Sequence, residues 1–376
     1  MKRPARLFAQ LLLLTLAGCA TQPAEKTGDP AAKGDRETAS QLYSGQPSVV
    51  HATEFPVESA AEGIQRGDEA YRQGKLDLAI YLYVQSLAFD ATSAEPFLKI
   101  GAVHEQLGNR DKSIQAYELG LERQPDNAGA CERLGLLYLQ ANRNDDAARY
   151  LTHAVELDPK RWRSHNGLGV LADRQKDFDA ALRHYNRALK IDPKAAVVLN
   201  NRGYSRYLAG DLTGAEQDLK AAIALGARDG AWTNLGKVQA MQGRYAEALE
   251  ALLREMDLAH AYNVLGEVAM DRGDYVTAKR YFEQAISEAP RYFAAAQKNL
   301  GLANERLLAA PPDSPSKVVR ADTPVYSEGV VIGLVERGDR VEVLRTQETS
   351  SLVRFRNRSG AEHIGWVPSS ALADKR

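Results

Sequence analysis

Between about residues 60 and 290 the apolar positions recur at helical spacing, and a longer period is superimposed on them. Glycine stands at Gly67, Gly101, Gly135, Gly169, Gly203, Gly236, Gly266 and Gly301, at intervals of 34, 34, 34, 34, 33, 30 and 35 residues. Twelve residues after each of the first seven comes a small side chain: Ala79, Ser113, Ala147, Ala181, Ala215, Ala248 and Ala278. Four further on comes a large one: Tyr83, Tyr117, Leu151, Tyr185, Leu219, Leu252 and Phe282. Three beyond that stand Ser86, Gly120, Ala154, Ala188, Ala222, Glu255 and Ala285, small except for Glu255. Large side chains at one register fill the space left by small ones at the others. Each period therefore predicts two antiparallel helices, and each pair stacks on the next.

The punctuation agrees. Gly74, Gly108, Asn142, Gly210, Gly243 and Gly273 supply residues that tolerate positive φ between paired helices. Lys176 occupies that place in the fourth pair and predicts a strained or reshaped turn there. Pro125, Pro159, Pro193 and Pro290 end second helices that they cannot continue. Residues 291–308 read as one more amphipathic helix (Phe293, Leu300, Leu302, Leu307) with its own packing glycine, Gly301, a polar cap for the end of the array. Between the sixth and seventh periods the interval falls to 30, no proline is present and Glu255 replaces the small residue. A shortened second helix and a notch for a partner both fit.

A 34-residue period with this residue order resembles the tetratricopeptide repeat (TPR). The resemblance covers about residues 60–290 and implies an all-α superhelical solenoid of about seven repeats plus a capping helix, over residues 59–308. In that family the first helix of each pair lines a concave surface. By register the surface here includes Leu98, Leu136, Asn166, Asp173, Arg174, Asn200, Tyr204, Tyr207, Asn234, Lys237, Asn263 and Glu267. Asparagine recurs on it at Asn166, Asn200 with Asn201, Asn234 and Asn263. A carboxamide both donates and accepts, so such a ladder can hold the backbone of an extended peptide, or it can simply solvate an open groove.

The pattern changes after Leu308. Residues 309–316 (AAPPDSPS) read as a proline-rich linker. Then come short β-branched and aromatic runs at 329–334, 340–344, 352–356 and 363–368, the signature of an antiparallel all-β unit over residues 317–372. "IGLVERGDRVEVL" and "GAEHIGWVPSSAL" resemble the bacterial SH3 module and imply a small SH3-like barrel. Trp366 is there either core or groove-lining.

The start of the chain, MKRPARLFAQLLLLTLAGCATQ, pairs a cationic beginning with an apolar run of about eleven residues, short of the roughly 20 that span a bilayer. It predicts an export signal over residues 1–18. Leu16-Ala17-Gly18-Cys19 resembles the bacterial lipobox, which implies cleavage before Cys19 and acyl chains on it. Several acyl chains make a durable anchor where one is marginal, since each buried CH₂ contributes about 0.8 kcal/mol. Ala20, where an Asp would imply retention in the inner membrane, points to the outer membrane, facing the periplasm. Residues 19–58 are rich in Ala, Pro, Gly, Ser and Thr and read as a disordered tether of roughly 35 residues, reaching on the order of 30 Å.

Composition narrows the function. Forty-eight Lys and Arg against 49 Asp and Glu leave no net field to attract nucleic acid. No HExxH, GxSxG, Walker loop or CxxC pair occurs, and Gly167-Leu168-Gly169 falls inside a repeat's first helix. The seven histidines are scattered; His165 and His184 could meet only across a helical hairpin. Cys131 reads as a small buried hydrophobe. The expectation is a protein without catalytic residues, cofactor or metal.

With the lipobox, segments such as "AHAYNVLGEVAMDRGDYVTAKRYFEQAISEAPRYFAAAQKNL" resemble the TPR lipoproteins of the tight-adherence (Flp) pilus system. More distantly they resemble the pilotins of type IV pilus secretins. The resemblance implies a scaffold for a pilus or secretion machine, with secretin or pilus subunits as partners and the membrane contacted through lipid. The alternative is a cell-wall adaptor whose SH3-like module binds peptidoglycan or a wall enzyme.

Overall fold

The computed structural model describes residues 57–228, 230–309, 314–327, 330–347, 349–356 and 360–373. Cys19, the export signal and all but the end of the tether lie outside the described residues. Two compact units divide the chain, Met1–Asp126 and Asn127–Arg376.

The first unit holds α1 (Ala60–Arg72), α2 (Leu76–Ser86), α3 (Glu95–Gln106) and α4 (Arg110–Arg123). Ser59 starts α1 by accepting the Glu62 N–H. The core is built on Ile80, Leu82, Tyr83, Phe97 and Ile100. The buried Tyr83 ring reaches the edge with its hydroxyl, which donates to Asp68 at 2.7 Å, and Lys99 pairs with the same carboxylate at 2.8 Å.

The second unit continues with α5 (Ala128–Gln140), α6 (Asn144–Leu157), α7 (Trp162–Arg174), α8 (Phe178–Ile191), α9 (Ala196–Leu208) and α10 (Leu212–Ala224). It goes on through α11 (Ala231–Met241), α12 (Tyr245–Leu252), α13 (Leu258–Asp271), α14 (Tyr275–Glu288) and α15 (Ala294–Ala309). Asn127, Asp177, Asp211, Asp257 and Asp274 cap α5, α8, α10, α13 and α14 through their side-chain oxygens. Consecutive helices pack as hairpins, each second helix packs on the first helix that follows, and successive first helices touch each other. The first helices therefore form the closely spaced face of this unit.

The glycine period marks close helix approach. A methyl built on Gly169 falls 2.6 Å from the Tyr185 ring, and one on Gly266 falls 2.4 Å from the Phe282 ring, both below any real carbon contact. The small positions Ala154, Ala188, Ala222 and Ala285 are completely buried.

Three places depart from the regular pattern. Lys176 takes φ +61° and Asn142 φ +59°, so the fourth turn keeps the left-handed shape of the glycine turns and its lysine carries the strain. Around Gly301 there is open space, because among the described residues no second helix follows α15 to close on it; it is not a packing glycine. At the irregular junction α12 is only 8 residues long, the shortened helix that the 30-residue interval allows.

The remaining residues form β1 (Ser314–Val319), β2 (Thr323–Ser327), β3 (Val330–Val335), β4 (Arg340–Gln347), β5 (Ser350–Arg356), β6 (Glu362–Pro368) and β7 (Leu372–Ala373). They make one antiparallel sheet in the order β3-β2-β6-β5-β4-β1-β7 around Val325, Val341, Val353, Phe355 and Val367. Four of these strands match the apolar runs in the sequence. β1 enters the segment read as linker, and β1 and β2 each contain a proline, which masks a strand pattern.

The sheet packs directly on the end of the helices. Leu307 of α15 is buried with Leu344 and Leu352, flanked by Tyr275, Val276, Ile364 and Trp366. Arg354 donates to the Leu307 carbonyl at 2.8 Å, and Arg345 pairs with Asp274 at 3.0 Å.

Candidate interaction surface of the first helices

The asparagines of the first helices are bonded to one another from repeat to repeat. Asn201 of α9 donates to the Asn166 carbonyl oxygen of α7 at 3.0 Å, and Asn234 of α11 donates to Asn200 at 3.1 Å. Asn299 of α15 donates to Asn263 of α13 at 3.2 Å. A rule in register accounts for all three pairs. The acceptor lies three residues before its repeat's glycine (Gly169, Gly203, Gly266), and the donor lies two before the next (Gly203, Gly236, Gly301). At the irregular junction these places hold Thr233 and Val264, so the ladder is interrupted there.

Each carboxamide has two N–H donors and two acceptor sites. The Asn166–Asn201 and Asn200–Asn234 bonds use one group on each partner, leaving others for a ligand. Asn263 is more committed. It is buried, gives a second bond to Glu267 at 2.8 Å, and Glu267 also accepts from Asn299 at 3.2 Å.

The neighbouring side chains divide into structural and open ones. Asp173 accepts from the Tyr185 hydroxyl at 2.7 Å and the Ser205 hydroxyl at 2.6 Å, which ties α7 to α8 and α9. Burial pushes its carboxyl above the usual range despite these two donors. Arg174 reaches back to the Asn144 side chain at 2.6 Å and the Leu139 carbonyl at 3.3 Å. Both residues brace adjacent repeats.

Tyr204 and Tyr207 are half-buried and stacked, with ring centroids 6.0 Å apart and planes at 26°, and Tyr207 also packs against the buried Leu219 and Leu235. The Lys237 ammonium lies 6.0 Å from the Tyr204 ring centre, at the outer limit of a cation–π contact. Half-burial pushes the Tyr207 hydroxyl up to about 12, so it stays protonated and remains a donor at neutral pH. Beside Tyr204, a shallow cavity of about 240 Å³ lies between Val170, Asn201 and Leu208, a residue that is 41% exposed.

Models of the tetratricopeptide repeat match residues 67–108, 94–127, 132–196, 199–261 and 259–292. Residues 67–292 are tetratricopeptide repeats. The helix pairs, the buried glycine-to-aromatic contacts and the first-helix face agree with that family. A search of curated proteins returns no match. Among solved structures, a tetratricopeptide repeat protein from Parabacteroides merdae is 15% identical over 65% of this chain and 98% of its own, with TM-score 0.48. A Pseudomonas aeruginosa pilF structure is 17% identical over 65% of this chain and 97% of its own, with TM-score 0.43. YrrB, titled a TPR protein with an unusual peptide-binding site, is 21% identical over 49% of this chain and 95% of its own, with TM-score 0.42.

The histidine pair does meet across its hairpin, with the His165 and His184 ring centroids 6.0 Å apart. Burial lowers both imidazole pKa values, so the pair is neutral at pH 7. Among the described residues no three His, Cys, Asp or Glu side chains converge as a metal site would need. Cys131 is buried. Trp366 is half-buried at the junction of the sheet with α14 and α15. Asn299, absent from the sequence-derived set, belongs to the ladder, and its place two residues before Gly301 is the signal that locates it.

Proposed function

We propose that this chain is an outer-membrane-anchored interaction scaffold, which holds an extended segment of an envelope protein along α7, α9, α11 and α13 and so assists assembly of a pilus or secretion machine. The observation that carries this reading is the Tyr204–Tyr207 stack with Lys237. It offers apolar area, a hydroxyl donor and a cation next to carboxamides with unused bonding capacity, the mixture that holds a peptide backbone and one or two anchoring side chains. The reading requires no bond-making chemistry: binding and positioning suffice.

The location rests on the lipobox resemblance ending at Cys19 and on Ala20 after it. The sheet that follows the repeats is assigned to the SH3-like class on the residues around Gly333 and Trp366. Sucrose-gradient fractionation tests the anchor. Wild type should band with outer membrane and Cys19→Ser should become soluble; wild type in the soluble or inner-membrane fraction contradicts the placement. Co-purification from solubilised membranes tests the partner. Secretin or pilus subunits should accompany wild type and be lost with Tyr204→Ala combined with Lys237→Ala, and equal recovery with both proteins contradicts it.

A further inference from the structure

Away from the first-helix face, the sheet and the last repeat enclose a cleft of about 490 Å³, within the range of roughly 300–1,000 Å³ typical of ligand sites. One wall is the sheet face: Trp366 and Ile364 of β6, Leu352 of β5 and Tyr326 of β2. The other is α14, which contributes Val276, Lys279, Arg280 and Glu283. Trp366 belongs to the apolar cluster around Leu307 and Leu352, yet it is only half-buried and its ring also lines the cleft.

The charges in the cleft are unevenly matched. Lys279 is paired with Glu283 one turn along α14, and Arg345 is paired with Asp274 at 3.0 Å. Arg280 has no such partner. Its guanidinium lies 4.9 Å from the centre of the Tyr281 ring, and no carboxylate pairs with it among the described residues. Arg280 also acts on the Tyr281 hydroxyl as a hydrogen-bond donor, but a guanidinium carries five N–H donors, so others remain to take a carboxylate.

We propose that this cleft is a second binding site, separate from the first-helix face, which takes a peptide presenting a carboxylate next to an apolar or aromatic side chain. The carboxylate pairs with Arg280 and the apolar side chain lies against Trp366 and Leu352. The site exists only because the sheet is docked on α14 and α15: the repeats supply the cation and the sheet supplies the apolar floor. A carboxylate at a chain end and one on an Asp side chain offer the same chemistry.

Isothermal titration of the full chain with three short peptides tests the site and separates the two sources: acetyl-Gly-Leu-Phe as free acid, the same peptide as C-terminal amide, and acetyl-Gly-Phe-Asp-Gly amide. At least one carboxylate-bearing peptide should bind, with the uncharged amide about tenfold weaker or worse. If the free acid is the tighter, a chain end is the ligand; if the Asp peptide is, an internal acidic residue is. Arg280→Gln should lose about tenfold in affinity and Arg280→Lys should recover part of that loss. Arg280 is exposed, so these variants keep the fold, to be verified by an unchanged melting temperature. Trp366→Leu should weaken binding as well, while a change in its melting temperature leaves the Arg280 pair as the deciding comparison. No binding at millimolar peptide, equal affinity for the acid and its amide together with no binding of the Asp peptide, or binding indifferent to Arg280→Gln overturns the proposal.

Discussion

The Glu255 carboxylate accepts the Thr233 backbone N–H at 3.0 Å and the Thr233 hydroxyl at 2.6 Å. It thereby caps α11 from outside that helix. The helix needs it, since its own N-cap is Gly230, which has no side chain to offer. Glu132 does the same for α7, accepting the Ser164 N–H at 3.2 Å and its hydroxyl at 2.9 Å. The one large polar residue among the small positions is therefore an N-terminal cap, and the negative charge suits the helix dipole.

Removing that cap should cost about 1 kcal/mol of local stability in Glu255→Ala, with a smaller loss in Glu255→Gln, which keeps an acceptor but no charge. Amide exchange of the first turn of α11 measures it. Unchanged protection of Thr233 in Glu255→Ala contradicts the capping role.

Two glycines of the same sequence period should respond in opposite directions. Gly169→Ala drives a methyl into Tyr185 and should destabilise by about 1–3 kcal/mol. Gly301→Ala enters open space inside a helix and should stabilise by about 0.5–1 kcal/mol. Urea unfolding of the two variants decides it, and a loss in both would mean that α15 is closed over by something at Gly301.

Lys176→Gly should raise stability by about 1 kcal/mol, because glycine adopts φ +61° without the cost that a Cβ imposes there. A lower melting temperature would show that the lysine side chain contributes more than its backbone costs.

These cases show what a single sequence carried. The period, the helix pairs, the glycine-to-large-residue contacts and the shortened α12 follow from side-chain volume at fixed spacing, which is local information. The first-helix face was legible as register, and its asparagines were identified. Their pairing was not, because it depends on a one-residue offset between neighbouring repeats, three before one glycine and two before the next. Asp173 and Arg174 have the right register for a binding face but serve neighbouring helices, since burial and proximity to Tyr185 and Asn144 are set by tertiary packing. The docking of the sheet on α15 was equally hidden: Leu307, Leu344 and Leu352 look like ordinary core positions of two separate units.

Glu216 gives a pH dependence with a defined sign. Arg244, 2.6 Å away, holds its carboxyl at about 2, below the ordinary 4.5. A folded pKa below the unfolded one contributes stability that is fully present above about pH 4.5 and lost as the pH falls towards 2. Glu216→Gln should therefore cost about 1 kcal/mol at pH 7, given that the pair is partly solvated, and progressively less as the pH falls towards 2. A difference that persists unchanged into acid would assign the effect to packing.

The central claim, that the first-helix face holds a partner, is tested most directly by site-specific photo-crosslinking in cells. A benzoylphenylalanine placed at Tyr204 or at Lys237 should give a crosslink to a secretin or pilus subunit, and one at Lys190, exposed on the second helix α8, should give none. Crosslinks from position 190 with none from 204 or 237 would contradict the account.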